Sequence, residues 1–135
     1  MVRKSKTLSV AIERKPKEVY EYIYDLRNFP NWATSFCQSI RQSSGEWIIE
    51  TPEGPTRIRF VEKNDYGVLD HYVGPAAGPE ILVSMRVIPN GSGSEIIFTQ
   101  IQSDGMSDEK FAEDAEMVKS DLIAVKRILE QMSDL

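Results

Sequence analysis

One cysteine and one histidine are all that these 135 residues hold of the side chains that most often bind metals or cross-link chains. A lone Cys37 excludes an internal disulfide framework and a cysteine metal cluster. A zinc site would have to be assembled around His71 from carboxylates in no familiar pattern, so no metal and no cofactor is expected. Cations are also scarce: 16 Lys and Arg against 21 Asp and Glu leave a net charge of -5. That balance argues against nucleic acid as the partner. The basic run Arg3, Lys4 and Lys6 is short and reads as a solvated tail. No apolar run approaches the roughly 18 residues of a membrane span, so stable membrane insertion is not expected. No signal-peptide pattern opens the chain, and a cytoplasmic protein is the expectation. Internal repeats, low-complexity segments and linkers are missing too, which leaves 1–135 as one domain large enough to bury a core.

What is present is organised around the last stretch, Met106 to Met132. Ser107 can cap a helix start, Asp108 and Glu109 suit its first turn, and neither Gly nor Pro follows. Phe111, Ala115, Val118, Leu122, Val125, Leu129 and Met132 recur at spacings of 3 and 4, one apolar stripe on a long helix. Glu109, Glu113, Glu116, Lys119, Lys126 and Glu130 lie mostly off it, and Lys126 and Arg127 are placed to complement the helix dipole. At about 1.5 Å per residue the helix is close to 40 Å long, enough to cross a small domain.

Ahead of it, Thr7 to Glu13 alternates as a strand, with Leu8, Val10 and Ile12 on one side. Lys15-Pro16 opens a helix that carries Val19, Ile23 and Leu26 and runs to about Asp25. Asn28-Phe29-Pro30-Asn31-Trp32 breaks it and forms a second short helix or turn. Phe36 to Gln102 reads as a meander, punctuated at Ser44-Gly45, Pro52 to Pro55, Asn64 to Gly67, Gly74 to Pro79 and Asn90 to Gly93.

Cross-strand partners must share a face, which tests the register. Closing the turns pairs Ile40 with Ile49, Ile49 with Ile58 and Trp47 with Phe60, then Phe60 with His71, His71 with Val83 and Met85 with Phe98. One face collects nearly all the large apolar groups; the other collects Arg41, Glu50, Arg57, Arg59, Asp70, Tyr72, Ser84, Arg86 and Thr99. The expectation is an α+β domain: a curved antiparallel sheet of six to seven strands, two short helices after the first strand, and a long C-terminal helix against the dry face. A gap between such a sheet and one helix is where a ligand cavity would lie.

No catalytic motif stands out. Ser43-Ser44-Gly45 lacks the context of a nucleophile elbow, Gly91-Ser92-Gly93 lacks the lysine and helix of a phosphate loop, and no two carboxylates fall at a general acid–base spacing. Gly74 to Pro79 is apolar yet exposed, either a rim over a cavity mouth or a rigid connector.

Lys15-Pro16-Lys17-Glu18-Val19-Tyr20-Glu21-Tyr22-Ile23-Tyr24-Asp25, followed by Phe29-Pro30-Asn31-Trp32, resembles the opening of the START-like (SRPBCC, Bet v 1-like) superfamily. Gly105 to Phe111, running into Asp121-Leu122 and Lys126 to Glu130, resembles its closing helix, especially in the polyketide cyclase/dehydrase-like branch. The resemblance implies a helix-grip fold around a hydrophobic pocket, in a superfamily of lipid and coenzyme-Q binders, hormone receptors, aromatic cyclases and chaperone activators. It implies a packing role for Trp32 between the short helices, and it supplies no catalytic residue.

With the dry face, it points to a binder or carrier of a small hydrophobic molecule of lipid, polyketide, aromatic or isoprenoid type. Trp47, Ile49, Phe60, His71, Val83, Met85, Phe98, Gln100, Val118 and Leu122 are the candidate lining; each apolar one could equally be plain core. Gln38 and Gln42 sit toward strand ends and are expected in solvent, whereas Gln100 is mid-strand on the dry face. His71 is either a half-buried histidine bonded to a neighbour such as Glu62, or a cavity group facing the polar end of a ligand. The alternatives are a cyclase or dehydratase using His71 as acid or base, and a protein–protein interaction module. A homodimer is compatible with each.

Overall fold

The alternation of Leu8, Val10 and Ile12 sets the first strand, β1 (Ser5–Ile12), whose inward side chains are half-buried, half-buried and buried while Ser9 and Ala11 are exposed. The computed structural model describes residues 1–132; the last three residues of the expected 1–135 domain lie outside it. Pro16 opens α1 (Pro16–Tyr24), where the Lys15 N–H is taken up by Glu18 Oε1 at 3.2 Å. A 3₁₀ turn, Leu26–Asn28, leads to the short α2 (Phe29–Trp32). Five hairpins then lay down β2 (Ser39–Ser43), β3 (Glu46–Thr51), β4 (Gly54–Phe60), β5 (His71–Pro75), β6 (Ile81–Asn90) and β7 (Gly93–Ile101). The chain ends in α3 (Asp108–Gln131), capped by Ser107, whose hydroxyl accepts the Lys110 N–H at 3.1 Å.

The sheet has seven antiparallel strands in the order β1-β7-β6-β5-β4-β3-β2, so β1 returns to close against the last strand. The expected pairings Ile40 with Ile49, Phe60 with His71, His71 with Val83 and Met85 with Phe98 are all present. The β3–β4 ladder is slipped by two residues from expectation: Trp47 faces Ile58 and Ile49 faces Thr56. The cause is the turn. Gly54 adopts φ +109, so Thr51 pairs with Gly54 and only Pro52 and Glu53 remain in the loop. The Thr51 hydroxyl locks it by donating to the Gly54 carbonyl at 2.8 Å and accepting the Glu53 N–H at 3.1 Å. An even slip leaves every side chain on its expected face.

The stripe of α3 is buried as its spacing requires at Phe111, Ala115, Leu122, Val125 and Leu129. Lys126 and Arg127 fall short of the last helical turn, which carries no basic residue. Lys126 instead donates to the Ala11 carbonyl at 2.8 Å and pairs with Glu130, whose Oε2 also accepts the Glu13 N–H, so α3 is strapped to β1. α3 packs on β1 and α2, while α1 covers β6 and β7. The core joins Ile12 of β1, Val19 and Ile23 of α1, Met85, Val87 and Ile96 of the central strands, and Leu122, Val125 and Leu129 of α3. Trp32 is buried edge-on to Phe29 at 5.1 Å between the short helices. No helix among the described residues is long and apolar enough to cross a membrane.

Candidate functional site

Burial along the dry face is graded, and the gradient locates the site. On β6 the inward side chains go from Ile81, 53% exposed, through half-buried Val83 to Met85 at 1% and Val87 at 3%. On β7 the order runs from buried Ile96 to half-buried Phe98 and Gln100, and on β1 from buried Ile12 to half-buried Val10 and Leu8. The closed end is the one α1 covers. At the other end the centre of a seven-stranded sheet keeps apolar side chains in reach of solvent, although α3 runs across that side of the sheet. Inward residues of central strands are ordinarily the driest in a domain. Here Phe60, Val83 and Phe98 stay half-buried, Phe60 and Phe98 packed against the edge of the core.

The ten candidate side chains divide along this gradient. Trp47, Phe60, Val83, Phe98, Gln100 and Val118 are half-buried. Ile49, Met85 and Leu122, at 1–2% exposure, are packed core, and His71 is buried at 7%. Gln38 and Gln42 are exposed, as their strand-end positions suggest.

His71 does not meet Glu62, which points into solvent beyond the end of β4. Its Nδ1–H donates to the Leu69 carbonyl at 3.0 Å, and its ring stands edge-on to Phe60 at 5.2 Å and 6.4 Å from Phe98. Burial among these groups pushes the imidazole below its ordinary value, against the Leu69 bond and the charge of Asp70, which both favour a proton. Asp70 lies on the other face: burial pushes its carboxyl up, but Arg86 and the Met85 N–H outweigh that and hold it below the usual range. His71 is therefore neutral near pH 7, with Nε2 left as an acceptor that has no partner among the described residues.

Gln100 is the second polar group on this part of the dry face. Its Nε2 donates to the Phe111 carbonyl at 3.3 Å, where α3 begins, and its Oε1 is enclosed without a donor. Sequence reasoning missed a third buried polar group, Asp121, at 2% exposure beside Leu122. Its Oδ1 accepts the Ser35 N–H at 3.2 Å, its Oδ2 has no partner, and burial pushes its carboxyl up. The signal was available, since Asp121 stands three residues after Val118 and four before Val125. Burial also raises the Cys37 thiol, with the Asp121 charge adding to it, so this cysteine is not an activated nucleophile.

Two concavities open on the outside. One of about 490 Å³ is bounded by Lys15, Lys17, Glu18, Glu21 and Tyr22, and one of about 110 Å³ by Trp47, Arg57, Ile58, Arg59 and Glu80 with the Gly45-Glu46 turn. Lys15, Lys17, Glu18 and Glu21 border the first, and Glu46, Arg57, Arg59 and Glu80 border the second. The 74–79 loop is tied down by Arg57, whose Nη2 donates to the Gly78 carbonyl at 2.6 Å and Nε to the Pro75 carbonyl at 3.2 Å. It is a braced connector.

No family model matches the chain, and no curated protein matches it in sequence. Solved structures do. XoxI from Bacillus cereus is 19% identical with a TM-score of 0.75, over 97% of each chain. The Aha1 dimer from Colwellia psychrerythraea is 12% identical with a TM-score of 0.75, over 95% of this chain and 97% of that one. Ara h 8.0201, of Bet v 1-like fold, is 10% identical with a TM-score of 0.67, over 93% and 97%. At such identities the likeness speaks for the fold. The chain shares with these proteins the helix-grip fold, a seven-stranded sheet gripping α3 with two short helices after β1.

Proposed function

We propose that the chain, as one ligand-binding domain over 1–135, binds or carries a small hydrophobic molecule in the cleft between the sheet and α3. The observation that carries this is the half-burial of Phe60, Val83 and Phe98 in the middle of the dry face, next to residues that are fully buried. Apolar surface kept open at the centre of a sheet costs about 25 cal/mol per Å² relative to closing it, and a guest that covers it recovers that energy. The candidate lining mixes aromatic and thioether groups, Trp47, Phe60, Phe98 and Met85, with aliphatic ones, Ile49, Val83, Val118 and Leu122, which suits an apolar guest. Mass spectrometry of the small molecule that co-purifies with the native protein tests this directly. A stoichiometric apolar compound, or a Tm rise with apolar ligands by mass action, is expected. A protein that purifies empty and shows no Tm shift across a broad panel of aromatics, lipids and isoprenoids contradicts it.

His71 favours one second reading, a cyclase or dehydratase. A neutral imidazole with an unengaged Nε2 beside an apolar cleft has the form of a general base. Turnover of an aromatic or polyketide substrate that disappears in His71→Phe would support it; binding without turnover favours the carrier. The lone, buried Cys37 fits a cytoplasmic setting. A homodimer is part of the same proposal, supported by the dimeric Aha1 relative in fold, and sedimentation would test it.

A further inference from the structure

Where α2 packs on α3, two buried polar atoms find no partner among the described residues: the indole Nε1 of Trp32 and Oδ2 of Asp121. Polar groups buried in this way weaken the contact that buries them. The connector from α2 to β2, residues 33–38, meets α3 at the same carboxyl. Gln38 ties its far end to β3 by donating to the Glu50 carbonyl at 2.8 Å. Ser35 ties its middle to α3, its N–H donating to Asp121 Oδ1 at 3.2 Å. Cys37, two residues further on, is 5% exposed, so a reagent reaches its thiol only when the connector moves. The surroundings of Asp121 hold no compensating charge. α2 carries no ionisable side chain, and the α3 residues one turn away, Met117, Val118, Ala124 and Val125, are apolar. On the connector only the Cys37 thiol titrates, and burial and the Asp121 charge both keep it protonated.

We propose that residues 33–38 form a strap that opens from α3 as Asp121 ionises, giving solvent access to Cys37 while the rest of the fold stays intact. A protonated Asp121 leaves the junction neutral. An ionised one sets a carboxylate with one bare oxygen against apolar neighbours, and opening lets water reach both it and the Trp32 indole. Burial pushes the carboxyl up in the closed form, against the hold of Ser35, and opening returns it to the ordinary range. The open form therefore gives up its proton first. Opening grows as pH rises from about 4 towards the raised value and then levels off. Small openings of this kind cost less than global unfolding, and a junction with two unpaired polar groups is where one is expected.

The test is the rate at which 4,4′-dithiodipyridine labels Cys37 in the whole protein between about pH 4 and about pH 8. Division by the rate for a short unstructured cysteine peptide removes the thiol's own ionisation and leaves the opening constant. It should rise at least about threefold over that range, and Asp121→Asn should abolish the rise. In low urea the wild-type rate should stay level, because a local opening exposes little surface. Circular dichroism checks that the variant folds; if it does not, the wild-type pH and urea curves decide. An opening constant that is flat with pH overturns the strap. So does a rise that persists in Asp121→Asn, or a labelling rate that climbs with urea along the global unfolding curve.

Discussion

Replacing Leu122 with Asp places the largest stress on the contact between α3 and the sheet. Leu122 is 2% exposed in the middle of the stripe. Loss of a buried leucine costs about 2–5 kcal/mol by itself. The new carboxylate would stand beside Asp121, whose Oδ2 is already without a partner and whose carboxyl burial already pushes up. Lys126, one turn on, is committed to Ala11 and Glu130. An uncompensated buried charge adds several kcal/mol more. The sum reaches the 5–15 kcal/mol that typically holds a domain of this size folded, so the variant should be unfolded or nearly so at about 25 °C. Ile123→Asp is the control: the adjacent residue is 44% exposed, and the change should move stability by no more than about 0.5 kcal/mol. Urea unfolding followed by circular dichroism reads both. A Leu122→Asp protein as stable as wild type, or an Ile123→Asp protein equally damaged, would refute the register of the helix on the sheet.

Three further outcomes follow from the buried polar groups and the cleft. Burial raises the Asp121 carboxyl, so the native state holds a proton that the unfolded chain releases, and stability is lost as pH rises above the ordinary carboxylate range. Asp121→Asn should therefore stabilise by about 1 kcal/mol near neutral pH and by little in acid, measured by urea melts at both; destabilisation at neutral pH would count against this. Because His71 is held below its ordinary value, the unfolded chain takes up its proton first as pH falls below about 6.5, and the stability tied to neutral His71 is lost there. His71→Phe should flatten that limb of the pH–stability curve, and an NMR titration showing an imidazole with a raised value would contradict the assignment. Val83→Phe adds volume at a half-buried wall, so it should cost under about 1 kcal/mol in a thermal melt yet weaken naphthalene binding at least severalfold, whereas a filled core would pay about 1–3 kcal/mol for the same change.

Strand facing, helix extent and the order of elements were legible because each rests on local period. Parity survived even where the register moved, since the β3–β4 slip was by two residues. The slip itself was not legible: Pro52 to Pro55 reads as a four-residue turn until the positive φ of Gly54 shortens it. The half-burial at the centre of the dry face was not legible. How deeply Phe60 or Val83 is buried depends on where α3 lies over the sheet, which its packing on β1 and α2 sets and no single residue encodes. His71 was picked out by its place on the dry face, but its partner was not. A backbone carbonyl two residues away competes well with an exposed Glu62, and side-chain patterns carry no record of it.

Methyl-resolved NMR of the protein titrated with naphthalene tests the ligand cleft most directly. Saturable shifts are expected at Leu8, Val10, Val73, Val83 and Val118, the half-buried apolar groups between sheet and α3, with Ile48 on the opposite face unmoved. Shifts that fail to saturate, or that gather instead around the Lys15–Tyr22 groove, would contradict the assignment of the cleft as the ligand site.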